Sequence, residues 1–181
     1  LSAGILSAAV AAEPGQSLLR SVLGVPGRVV AVLAADPGGD GQNEILVIWR
    51  KGYPFSSEGR VSVYSFADGK FSGPPKQVLT LPKSAAAWDV GDADGDGRDD
   101  LLLLAADGLS AHPGQADGTF AEEPVELVRV MTLAALPGDD DVPPIKLLFQ
   151  LEPGHRRLLM LPTVPIGALS LYQRQSGASW S

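Results

Sequence analysis

The chain has 181 residues, 45% of them apolar and 19% charged, with a net charge of −7 and no cysteine. That length allows a domain with a real core. The acidity, without a basic stripe, argues against nucleic acid or an anionic membrane as partner, and the lack of cysteine excludes disulfides, thiolate nucleophiles and cysteine-based zinc sites. Glycine (21 residues) and proline (15 residues) together make up about a fifth of the chain, against ~12% on average. No long stretch carries a 3.6-residue apolar period, so the pattern is all-β, with many short strands between turns.

Residues 1–12 are small and apolar and end in Val10-Ala11-Ala12 before Glu13-Pro14-Gly15. Ala9 and Ala11, or Val10 and Ala12, fit the −3 and −1 positions of a signal-peptidase site. The stretch is shorter than the ~20 residues that span a bilayer. It is read as the remnant of a signal peptide, with an apolar N-terminal strand or helix as the alternative. The first reading predicts a secreted protein, extracellular or in the cell envelope (bacterial periplasm or surface), with no membrane insertion. Residues 13–28 form a lead-in, in which Ser17–Leu23 is a candidate outer strand.

A first unit runs from about Val29 to Leu81. After a strand at Val29–Ala35 comes Asp36-Pro37-Gly38-Gly39-Asp40-Gly41-Gln42-Asn43-Glu44. Asp36, Asp40 and Glu44 occupy positions 1, 5 and 9 of an acidic loop. Position 3 is Gly38, so one ligand is missing and the site is the weaker of two. Lys51–Gly59 is read as an inserted loop that presents Tyr53 and Phe55 as contact residues. Val61–Ser65 alternates as a strand, and Ala67-Asp68-Gly69-Lys70-Phe71 turns the chain towards Pro75.

The second unit repeats this pattern. Ala116-Asp117-Gly118-Thr119-Phe120, with Pro124, matches Ala67–Phe71, with Pro75, at a constant shift of 49 residues (68 to 117, 71 to 120, 75 to 124). The acidic loops repeat at a shift of 56 (36 to 92, 44 to 100), the difference falling in Lys51–Gly59. Strands are expected at Ala86–Gly91, Asp100–Ala106, Leu109–Gln115 and Pro124–Val128, with Asp107-Gly108 as a hairpin turn.

Between the first two of these strands lies Asp92-Ala93-Asp94-Gly95-Asp96-Gly97-Arg98-Asp99-Asp100, with five carboxylates in nine residues. Such charges repel unless a hard cation is bound, and Ca²⁺ takes six to eight oxygen ligands from a flexible loop. Asp92, Asp94 and Asp96 stand at positions 1, 3 and 5. Gly97 permits the returning turn, the carbonyl of Arg98 is a fourth ligand, and Asp100 at position 9 closes the site. An EF-hand begins in the same way but needs a Glu at position 12 and flanking helices. Here position 12 is Leu103 and both flanks look extended. The remaining alternative is a solvated acidic turn without metal.

Val90-Gly91-Asp92-Ala93-Asp94-Gly95-Asp96-Gly97-Arg98-Asp99-Asp100-Leu101 resembles the FG-GAP repeat, known from integrin α chains and, often under the name VCBS repeat, from bacterial secreted proteins. The resemblance implies a β-propeller in which each repeat is one blade of four antiparallel strands and the calcium loop links two adjacent strands. It also implies a role in adhesion or scaffolding, with a protein or glycan as ligand on the loop face.

A third unit, about 130–181, is weaker. Strands are expected at Val130–Leu136, Ile145–Leu151 and Leu169–Gln173. Its loop has Leu136 at position 1 and Pro143-Pro144 in place of the closing acid, so no calcium is expected there. The units are about 29–81, 82–129 and 130–181, or two and three-quarter blades, where closed propellers typically have 4–8. This suggests a fragment of a larger propeller. A partial propeller that oligomerises and a β-solenoid-like stack are the alternatives.

Nothing here points to catalysis, and the expectation is a protein that is not an enzyme. His112, before Pro113, and His155, in a turn, lack metal-motif spacing. No nucleophile elbow, phosphate loop or dinucleotide fingerprint occurs. Trp49, Trp88, Tyr53, Phe55 and Tyr64 could form a sugar platform, but Trp88, Phe71 and Phe120 are better read as packing residues. Arg156-Arg157 is read as a solvated hairpin tip. The function this pattern favours is that of a calcium-stabilised, secreted interaction module. The rival is the propeller of a carbohydrate-active enzyme, such as a polysaccharide lyase, whose catalytic groups lie in further blades.

Overall fold

Two runs of sequence, Ile45–Trp49 and Leu101–Leu104, are continuously apolar, and each becomes a strand covered on both faces. In the computed structural model the described residues are 20, 22–52, 58–67, 70–71, 73–85, 87–105 and 107–129, together with the backbone strands 148–152, 156–163 and 168–173. Among them there is no helix. The chain divides into two compact units, Leu1–Ala34 with Asn43–Leu81, and Ala35–Gln42 with Pro82–Ser181.

The first unit holds a four-stranded sheet, ordered β1 (Arg28–Ala35), β2 (Glu44–Lys51), β3 (Glu58–Tyr64) and β6 (Gln77–Thr80). A small hairpin, β4 (Phe66–Ala67) and β5 (Lys70–Phe71), stands between β3 and β6. The period of two puts Val47 and Trp49 on one face of β2, where they are buried with Val25 and Tyr64, and Leu23, Val29, Val32 and Ile45 pack against them. Leu46 and Ile48, which point the other way, are buried as well. The polar ends of the large rings are satisfied: Trp49 Nε1 donates to Ser62 Oγ at 2.9 Å, and the Tyr64 hydroxyl donates to the Gly24 carbonyl at 3.0 Å.

The second unit repeats the plan with β7 (Ala87–Gly91), β8 (Asp100–Ala105), β9 (Gly108–His112) and β10 (Val125–Arg129), adjacent in that order and antiparallel. Leu102 and Leu104 of β8 are buried with Ala87, Ala93, Leu109, Ala111 and Val128. Leu101 and Leu103, on the opposite face, are also buried. Burying a leucine contributes roughly 1.5–3 kcal/mol, so β8 is the strand on which this sheet most depends. A third sheet, β11 (Leu148–Glu152), β12 (Arg156–Thr163) and β13 (Ala168–Gln173), is an antiparallel meander.

The structure is all-β with four-stranded antiparallel sheets, as the blade reading requires. Several details differ from the sequence reading. Lys51–Gly59 is not a loop throughout, since β2 and β3 pair as far as Lys51 with Glu58. Ala67–Phe71 closes its own hairpin, in which the rings of Phe66 and Phe71 meet at 4.9 Å. Leu23, at the end of the candidate outer strand, is not in a strand. Arg156-Arg157 is not a hairpin tip: Arg157 pairs with Gln150 at the start of β12. Pro162 masks that strand in the sequence, since a proline argues against a central strand. Residues 1–12, Tyr53, Phe55, His155, the expected strand Val130–Leu136 and the third loop lie outside the described residues.

Candidate metal centre

The segment Asp92–Asp99 connects β7 to β8, whose last paired residues are Gly91 and Asp100. Gly95 and Gly97 have φ of +88° and +89°, a region open to glycine at little cost. They let the chain coil around its own carboxylates. Asp92 accepts the N–H of Gly95 at 2.5 Å and of Gly97 at 3.0 Å. Asp94 accepts the N–H of Asp96 at 3.0 Å, and Asp96 that of Arg98 at 2.9 Å. The result is a cluster in which one carboxylate oxygen from each of Asp92, Asp94 and Asp96 lies within 4.8 Å of the others. Asp94 and Asp96 are exposed and Asp92 is half-buried. Among the described residues no second group of three acidic or histidine side chains meets that spacing. Like charges about 4 Å apart repel by roughly 1 kcal/mol even in water. An all-oxygen, anionic donor set of this kind could hold a metal ion and suits a hard one. Arg98 supplies part of the balancing charge, its guanidinium pairing with Asp96 while its Nε donates to the Gly114 carbonyl at 3.0 Å.

Asp100 is placed differently from the other three. It is buried, and its two oxygens accept the N–H of Ala93 at 3.0 Å and of Gly114 at 2.9 Å. It is not one of the carboxylates in the close cluster. Burial raises its pKa to about 6, against the opposing pull of the Gly114 and Ala93 amides, and the charges of Asp94 and Asp96 add to the rise. Asp100 thus closes the loop onto the sheet. Ala93, at position 2, is fully buried in the core cluster and pins the other end. Sequence reading gave Ala93 no role, and only its small apolar character between two acids hinted at one.

The Asp36 loop has the same internal bonding. Asp36 accepts the N–H of Gly39 at 2.8 Å and of Gly41 at 2.8 Å, matching Asp92 with Gly95 and Gly97. Asp40 accepts the N–H of Gln42 at 2.8 Å, as Asp96 does that of Arg98. Gly39 and Gly41 have φ of +67° and +82°. With Gly38 at position 3, no third carboxylate joins Asp36 and Asp40 in this loop. Glu44 opens β2 and is buried, with Ser65 Oγ donating to its Oε1 at 3.5 Å.

The aromatic platform is not formed by its described members, because Trp49, Trp88 and Tyr64 are all buried. Phe120 is fully buried too, whereas Phe66, beside Phe71, is 46% exposed. His112 is a buried strand residue whose Nδ1 lies 2.8 Å from the Ala121 carbonyl, an internal bond.

No curated protein matches the chain. A family model described as an FG-GAP-like repeat matches residues 36–103. The match begins at the first residue of the Asp36 loop and ends within β8, so it holds both acidic loops and the strands β2, β3 and β7. Over that segment the chain is similar to an FG-GAP-like repeat.

Proposed function

We propose that this is a calcium-stabilised, secreted repeat protein whose loops present a surface to a protein or glycan ligand. The observation that carries the reading is the convergence of Asp92, Asp94 and Asp96 within the segment that matches the repeat. Calcium would draw on these three carboxylates, on the Arg98 carbonyl and on Asp100. Asp36, Asp40 and Glu44 are the candidates for a second, weaker site. The ion's part is structural: it neutralises the loop and fixes the β7–β8 connection, so its binding free energy becomes folding free energy.

FG-GAP repeats are typically non-catalytic and usually extracellular, which favours an interaction role over an enzymatic one. No helix of the described residues is long and apolar enough to cross a membrane. Thermal melting in chelator, in calcium and in magnesium tests the reading. Calcium at about one hundred times its Kd would stabilise the fold by ~2.7 kcal/mol, a rise of several degrees in Tm. Equal melting in all three conditions would contradict it.

A further inference from the structure

The two acidic loops are bonded to each other through a residue that is not a candidate ligand. The N–H of Asp36 donates to Asp99 Oδ2 at 2.9 Å, and the N–H of Asp99 donates to the Asp36 carbonyl at 2.9 Å. We propose that the Asp36 and Asp92 loops order as one cooperative element, with Asp99 as the residue that couples them.

Three observations carry this beyond a single contact. First, the position of Asp99 is set by its own loop: the next residue, Asp100, is held by the amides of Ala93 and Gly114. Asp36 in turn organises its loop, since its carboxylate accepts the amides of Gly39, Asp40 and Gly41. The path therefore runs from Ala93 of the Asp92 loop to Asp100, along the chain to Asp99, and by two hydrogen bonds to Asp36 and its loop. Second, the stem of Arg98 lies against Gly39, where an added Cβ would come within 2.8 Å of Arg98 Cγ. Third, Gly114 sits where both loops converge, and a Cβ there would meet the carbonyl oxygens of Asp99 at 2.5 Å and Pro37 at 2.7 Å. The Asp36 loop, which lacks a third carboxylate, is thus held by protein donors and acceptors from its neighbour. The coupling needs no cation, so it stands apart from the calcium reading.

The test is amide exchange by NMR on the full chain in chelator, with Leu102 and Leu103 of β8 reporting that the fold is intact. Asp92→Ala removes the acceptor for Gly95 and Gly97 in one loop, and the reporters are Gly39 and Gly41 in the other. Coupling predicts exchange at Gly39 and Gly41 faster by roughly tenfold, the scale of one or two lost hydrogen bonds. It also predicts that Asp92→Ala adds little in an Asp99→Ala background, the non-additivity expected of linked sites. Unchanged exchange at Gly39 and Gly41, or fully additive effects, would overturn the proposal. Should Asp92→Ala unfold the chain, Asp99 alone decides: Asp99→Asn keeps a side-chain oxygen for the Asp36 amide and should retain protection that Asp99→Ala loses. Equal protection in the wild type and both variants would refute the coupling.

Discussion

Gly114 donates its N–H to Asp100 Oδ1 at 2.9 Å, joining the turn after β9 to the end of the acidic loop. Its carbonyl accepts Nε of Arg98 from the same loop. The close approach has a steric condition, because a Cβ at this position would lie within 2.7 Å of two carbonyl oxygens, and backbone cannot yield as a flexible side chain does. Gly114→Ala should therefore destabilise the chain by about 1–3 kcal/mol or more, the usual range for overpacking. Urea denaturation measures this directly. A loss below about 0.5 kcal/mol, typical of an open surface site, would show that the approach is looser than described.

Asp96 and Asp100 should respond differently to calcium. Asp96 is exposed, and its partners are the backbone and side chain of Arg98. Exposed pairs of this kind contribute little, so Asp96→Ala should leave the chelator melting curve nearly unchanged while abolishing the gain from calcium. Asp100→Ala leaves two amides without their acceptor at a buried position. That costs about 1–3 kcal/mol for each group left unsatisfied, so this variant should melt lower with and without calcium. Identical behaviour of the two variants would mean that Asp100 has no structural role separate from the ion.

Asp100 also predicts a pH dependence in the metal-free chain. Its pKa rises on folding from 3.8 to about 6, chiefly through burial. The folded state holds this proton more tightly than the unfolded state does. The stabilising contribution is therefore complete below about pH 4 and is lost as pH rises through 6. In chelator, the wild type should lose more Tm between pH 5 and pH 7.5 than Asp100→Asn, which has no proton to release. Parallel pH profiles for the two proteins would refute the assignment.

Much of this was legible in the sequence because the local rules agree. Alternation, Asp-Gly turns and the two repeat shifts located β7 to β10 to within a few residues, and the 1-3-5 spacing found the carboxylates that converge. Long-range features were not legible. Gly114 looks like any turn glycine, since its role depends on the carbonyls of Pro37 and Asp99, which only the folded chain brings to it. In the sequence Asp99 is one acid among five, and only its bond to Asp36 sets it apart. Asp100 fitted a ligand position by spacing, yet its oxygens are also the acceptors that close the loop. The strand β12 was hidden by Pro162 and by two arginines that read as surface.

The central claim is that the Asp92 loop binds calcium. A calorimetric titration of the chain with calcium, beside Asp94→Ala, tests it most directly, because Asp94 accepts only one exposed amide bond in its own loop and its loss should spare the fold. The account predicts one or two sites in the wild type and one fewer in the variant. Absence of heat in a wild-type chain shown to be folded would contradict it and leave an acidic turn balanced by Arg98 alone.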